Sequence, residues 1–107
     1  MYKKSDELLT RALKSIPLAS QTFSKSLTQY PRGVSPFFIK KGKGSKVVDE
    51  DDNEYIDFVN SLAAVTLGYC DKDVDKAVKK QMKNGVTFSL PHTLELKVAE
   101  KLIEIIP

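Results

Sequence analysis

The chain holds 107 residues, with 41% apolar and 29% charged side chains and a formal net charge of +3 from 17 basic and 14 acidic residues. That is the size of one small domain, and the composition is too balanced for wholesale disorder, a collagen-like repeat or a low-complexity tract. The basic excess is weak and its lysines are mixed with carboxylates, unlike the one-sided basic face of a nucleic-acid binder, so nucleic acid is not an expected partner.

The N-terminus turns acidic at Asp6-Glu7, where a secretory signal would turn apolar. Ser5-Asp6-Glu7 offers a helix cap and first turn, and Leu8, Leu9, Ala12, Leu13 and Ile16 follow at helical spacing. A helix is predicted over residues 6–15, stopped by Pro17. Residues 17–36 show no period; they contain a Ser/Thr-rich stretch and the turn Tyr30-Pro31-Arg32-Gly33. So long an aperiodic stretch in a small domain is either a connector or a functional loop.

Phe37-Phe38-Ile39-Lys40-Lys41, Ser45-Lys46-Val47-Val48-Asp49 and Glu54-Tyr55-Ile56-Asp57-Phe58-Val59 are β-prone runs separated by Gly and Asp/Asn turns. They predict a three-stranded antiparallel meander. Asp71-Lys72-Asp73 caps a second helix with Val74, Ala77, Val78 and Met82 on its buried face and Asn84-Gly85 at its end. After an extended piece over 86–90, Thr93 is predicted to cap a third helix with Glu95 in its first turn and Leu94, Val98, Leu102 and Ile106 along one stripe. The fold class is therefore α+β. Apolar residues run to Pro107, which reads as a chain cut before a further strand or core element.

Motifs with possible chemistry are few. Asp49-Glu50-Asp51-Asp52-Asn53 resembles the start of a calcium loop, but Glu54 and Asn60 occupy the positions that need Gly and a bidentate Glu. An acidic β-turn is the expectation. Gly42-Lys43-Gly44-Ser45 lacks the spacing of a phosphate loop and reads as a hairpin turn, with its neighbouring lysines as a solvated edge. His92 is the single histidine and is expected to bond nearby backbone; with no second histidine, no His-pair metal site is possible. Cys70, the single cysteine, allows no disulfide within the chain and is expected to be a buried small hydrophobe in a cytoplasmic protein. No apolar run is long enough to span a membrane, the longest being 62–65.

The string from Gly42 to Phe58 resembles the N-terminal hairpin of class III pyridoxal-phosphate aminotransferases. Leu67-Gly68-Tyr69, the helix over 73–83, Gly85-Val86-Thr87-Phe88 and the stretch from Pro91 to Glu95 follow in that family's order. With 16–26 included, the resemblance covers nearly the whole chain, and the nearest branch is that of glutamate-1-semialdehyde aminomutase. Gln21-Thr22-Phe23-Ser24-Lys25-Ser26 and Phe88-Ser89-Leu90-Pro91-His92 look closer to its relatives in sugar and surface-polysaccharide biosynthesis.

This resemblance implies that residues 1–107 are an N-terminal, small-domain segment whose large cofactor-binding domain is absent. The cofactor of the complete enzyme would be pyridoxal phosphate, acting on a small amino or keto substrate in a homo-oligomer. The Schiff-base lysine and phosphate loop would lie beyond residue 107, so this chain alone is expected to hold no cofactor and to be inactive. The resemblance nominates Thr22, Lys25, Leu62, Ala63 and Phe88 as lining the substrate pocket, with no catalytic residue and no metal. Lys25 stands where the aminomutase has an Arg, Leu62 where it has a Trp, and Asp52 where the family has Gly. The rival expectation is a self-standing basic module that binds protein or nucleic acid.

Overall fold

The computed structural model describes residues 1–106. It forms two compact units, residues 1–71 and residues 72 onward. Pro107, where the apolar C-terminal run ends, lies outside the described residues.

The first unit opens with α1, Lys3–Ala12. It begins and ends three residues earlier than predicted, and the cause is long-range. Asp51 accepts from the Lys4 backbone N–H at 2.8 Å and from that of Ser5 at 3.0 Å. A carboxylate at a helix N-terminus satisfies orphan donors and complements the macrodipole. Here the cap comes from a distant turn, so the local cap expected at Ser5 is not used, and Ser5 is itself buried. Leu9 is 1% exposed and anchors the inward face of the helix. The helix closes ahead of Pro17, in tight turns from Lys14 N–H to Arg11 O and Ser15 N–H to Ala12 O.

The aperiodic stretch contains two short 3-10 turns, Pro17–Ala19 and Phe23–Lys25. After it come β1 (Ile39–Lys43), β2 (Lys46–Asp49) and β3 (Glu54–Ile56), an antiparallel sheet in the order β1-β2-β3 as predicted. β1 starts and ends two residues later than expected. Lys43 pairs with Lys46, which leaves Gly44-Ser45 as the two-residue loop, and Gly44 takes φ 57°, the hand that such a loop needs at its first position. A bulge between Ile39 and Lys41 re-aims the strand. Val47 is buried on the inner face.

The acidic turn between β2 and β3 is organised by Asp49, which is fully buried. Its Oδ1 accepts from the backbone N–H of Asp51 and Asn53, and its Oδ2 from the Asn53 amide and the Tyr55 hydroxyl. Burial pushes this carboxyl up, but the donors from Asn53, Tyr55 and Asp51 outweigh it and hold it below the ordinary carboxylate value. Asp52 takes φ 69°, and its carboxylate pairs with Lys40 and Lys4. The three aspartates of the run therefore serve the fold in different ways: Asp49 shapes the turn, Asp51 caps α1 and Asp52 forms ion pairs.

In the second unit, α2 spans Lys72–Met82 and α3 spans Thr93–Ile105. Gly85 closes α2 with φ 96°, and the Gln81 amide donates to its carbonyl at 3.1 Å. The cap of α3 is His92, not Thr93. The Leu94 N–H donates to His92 Nδ1 at 3.1 Å, and Glu95 accepts from the His92 N–H at 2.8 Å. That reciprocal pair is a capping box built on a histidine. The expected burial of Val74, Ala77, Val78 and Met82 does not occur: all are exposed, Met82 at 62%. Neither α2 nor α3 buries any residue. Among the described residues no helix is long and apolar enough to cross a membrane.

Candidate functional site

Two loops of the first unit carry four of the nominated pocket-lining residues, Thr22, Lys25, Leu62 and Ala63. Thr22 and Lys25 flank and end the 3-10 turn Phe23–Lys25. Thr22 O accepts from the Lys25 N–H at 3.1 Å and from the Ser20 hydroxyl at 2.6 Å, while Thr22 Oγ1 lies 3.1 Å from Ser24 Oγ. The next residue, Ser26, is fully buried, and its carbonyl accepts from the Gln29 and Tyr30 N–H groups. A buried, hydrogen-bonded base thus follows a turn whose Thr22 and Lys25 side chains are exposed. Among the described residues Lys25 has no ion-pair partner, which leaves its ammonium group available to an anion.

The second loop is a short helical turn, Asn60–Ala63, wound in the wrong hand. Asn60, Ser61, Leu62 and Ala63 have φ of 52°, 50°, 56° and 66° in succession. The left-handed region costs an L-residue roughly 1–2 kcal/mol, and it is ordinarily visited by single residues. Asn60 tolerates it; Leu62 and Ala63 have no local reason to adopt it. Such strain persists only where surrounding structure dictates it, and it concentrates at functional sites. Leu62 is 71% exposed and Phe58 is 90% exposed, so the strain does not serve to bury apolar side chains in this unit.

What dictates the turn is visible next to it. Asp57 Oδ1 accepts from the N–H groups of Val59 at 2.9 Å and Asn60 at 3.0 Å, and Tyr69 donates its hydroxyl to Asp57 Oδ2 at 2.6 Å. Tyr69 exchanges two backbone hydrogen bonds with Gly44, each 2.8 Å. Its ring lies against Gly42, where an added Cβ would stand 2.6 Å from a ring carbon. Gly42 is therefore a strand glycine required by close approach, not the turn glycine expected from the sequence. Cys70 follows with φ 57° and is exposed, its thiol donating to Gly42 O at 3.4 Å, so the expectation of burial fails.

Within the first unit no hydrogen bond or ion pair joins the Thr22–Lys25 turn to the Leu62–Ala63 turn among the described residues. Phe88 belongs to the second unit, where its ring stacks on His92 with centroids 5.4 Å apart and planes 13° apart. Asp57, Tyr69 and Gly42 were not singled out as site residues by the sequence. They lie within the strings that carry the family resemblance, but only the folded contacts show what they hold.

Pyridoxal-phosphate chemistry needs a lysine amine that can be desolvated, a carboxylate partner for the ring nitrogen and a phosphate cradle. Every lysine among the described residues is exposed. Lys41, Lys43 and Lys46 line an outer face of the hairpin, with Lys46 bonded to Glu54 at 2.5 Å. The residues present do not fit that cofactor.

The model of the family described as aminotransferase class-III matches residues 29–107. A glutamate-1-semialdehyde 2,1-aminomutase from Fusobacterium nucleatum is 37% identical over 107 residues, covering 100% of this chain and 24% of that protein. One from Natranaerobius thermophilus is 47% identical over 72 residues, covering 67% of this chain and 17% of that protein. Among solved structures, an omega-transaminase from Sphaerobacter thermophilus superimposes with TM-score 0.79 at 32% identity, over 94% of this chain and 22% of its own. A transaminase with PLP bound gives 0.78 at 26% identity, over 95% and 23%. The chain spans about a quarter of the length of the curated relatives it matches. It belongs to the class III aminotransferase family.

Proposed function

We propose that this chain is the substrate-side segment of a pyridoxal-phosphate enzyme that moves an amino group, either between two molecules or within one. The observation that carries the reading is the 37% identity to an aminomutase along all 107 residues. The strained turn at Leu62–Ala63 and the exposed cation on the Thr22–Lys25 turn support it, because both lie at positions that the family resemblance assigns to the pocket. The cofactor would be held by the remainder of a longer polypeptide, and residues 1–107 alone would be inactive. That remainder would also cover the apolar faces of α2 and α3, and the complete enzyme would be a cytoplasmic homo-oligomer.

Thr22, Lys25, Leu62 and Ala63 of the first unit would line the substrate side, and the family resemblance adds Phe88 of the second unit to the candidates. Lys in place of Arg keeps the charge but loses the bidentate fork that grips a carboxylate. Leu in place of Trp removes a flat wall. Both changes argue for an anionic substrate other than that of the aminomutase, with sugar-linked substrates of surface-polysaccharide assembly as the class the resemblance favours.

The test is steady-state kinetics of the complete polypeptide that carries this chain. A charge-assisted hydrogen bond is worth roughly 1.5–3 kcal/mol, so Lys25→Ala should raise KM for the amino or keto substrate by about ten- to a hundredfold. Lys25→Arg should stay close to the wild type, and cofactor affinity should not change in either variant. Absence of amino-group transfer in the wild type, or unchanged KM in the alanine variant, would contradict the assignment.

A further inference from the structure

We propose that Asp57 and Tyr69 act as a pair of positioning residues that hold the left-handed turn Asn60–Ala63 in the shape a bound substrate meets. The inference rests on the reading of this chain as the substrate side of an amino-transfer enzyme, and it adds residues that touch no substrate themselves. The Asp57 backbone N–H donates to Ser45 O at 2.9 Å, so the residue is tied to the hairpin tip. Its carboxylate then reaches forward to the N–H groups of Val59 and Asn60, at the entry to the turn. The turn's exit is closed by Val65 N–H to Asn60 O at 3.2 Å and Gly68 N–H to Val65 O at 3.0 Å.

Tyr69 completes the brace from the other side. Its backbone is fixed to Gly44, its ring is seated on Gly42, and its hydroxyl fixes the Asp57 oxygen that the turn does not use. Each oxygen of the carboxylate thus has one duty, and the carboxylate cannot rotate without losing a donor. A carboxylate held this way fixes where the N–H groups of Val59 and Asn60 lie, and with them the direction in which the strained turn leaves the sheet. Second partners of this kind decide whether a first contact is correctly placed. The side chains that the turn carries, Leu62 and Ala63, point away from any core of the unit, being exposed. A structural staple alone would not need four residues in the disfavoured hand; a wall of fixed shape would.

Tyr69→Phe is the direct probe, because it keeps the ring on Gly42 and removes only the hydroxyl. In the complete polypeptide it should raise substrate KM by about tenfold, the effect of losing one hydrogen bond to a charged group. It should leave kcat within about twofold and cofactor affinity unchanged. Amide exchange over residues 57–65 should quicken by at least about tenfold while that of β2 stays as in the wild type. Gly42→Ala, which displaces the ring, should reproduce the KM effect. An active wild type whose KM ignores Tyr69→Phe overturns the inference alone, even if exchange quickens, since the pair would then be only a staple. Unchanged exchange over 57–65 overturns it as well. A wild type that transfers no amino group removes the functional reading and this inference together.

Discussion

Asp57 and Tyr69 share a hydrogen bond, and each alters the other's ionisation. The Tyr69 hydroxyl, against the opposing effect of burial, holds the Asp57 carboxyl below its ordinary value, with the Asn60 and Val59 N–H groups adding to it. In return the bond to Asp57, with burial acting in the same sense, pushes Tyr69 from 10.0 up to about 12. A carboxyl lowered by folding contributes stability that is present above its unfolded value, about 4, and lost as pH falls through the folded one. A tyrosine raised by folding contributes stability that is present below about pH 10 and lost as pH rises through about 12. The first unit should therefore weaken at both limbs, and Tyr69→Phe should make the alkaline limb shallower. Tyr55, also raised by burial and by its bonds to Tyr2 and Asp49, keeps part of that limb. Denaturation midpoints measured between pH 8 and 12 check this; an equally steep loss in wild type and variant would contradict it.

At the scale of elements, the parts that sequence made legible are those with local causes. The meander follows from β-prone runs and turn residues, and α2 and α3 from apolar periodicity and acidic first turns. The parts that were misplaced have distant causes. α1 starts early because Asp51, 46 residues from Ser5 along the chain, caps it. β1 runs on through Gly42, which pairs with Val47 and takes the Tyr69 ring against its face, a contact from far along the chain. The turn Asn60–Ala63 was invisible, since Ser61, Leu62 and Ala63 carry no residue-level signal for positive φ. Of the candidate site, Thr22 and Lys25 were legible as a loop; the brace behind Leu62 was not. Asp51→Ala tests the capping role. Amide exchange at Lys4 and Ser5 should rise by about tenfold or more, as expected when a cap is lost, while β2 and β3 remain protected. Unchanged exchange at these amides would show that the helix start does not depend on the turn.

For the whole molecule, the decisive feature is how little apolar surface the chain hides. Leu9, Ala19 and Val47 are its buried apolar residues among those described, whereas Val78, Leu102 and Ile105 are 51%, 50% and 63% exposed. Covering such a side chain contributes roughly 1.5–3 kcal/mol, so α2 and α3 favour any apolar partner. In isolation the chain should self-associate, and Val78→Lys with Leu102→Lys should return it to monomer in sedimentation velocity. A clean monomer of the unaltered chain at high concentration would contradict this. The central claim, that these residues shape the substrate side while the cofactor is held elsewhere, is tested most directly by trapping. The chain alone and the complete polypeptide are incubated with pyridoxal phosphate, reduced with borohydride and mapped by mass spectrometry. The expected result is scattered, substoichiometric modification of exposed lysines in the chain alone, and in the complete polypeptide one stoichiometric adduct at a lysine outside residues 1–107. A single stoichiometric adduct on a lysine within this chain would contradict the claim.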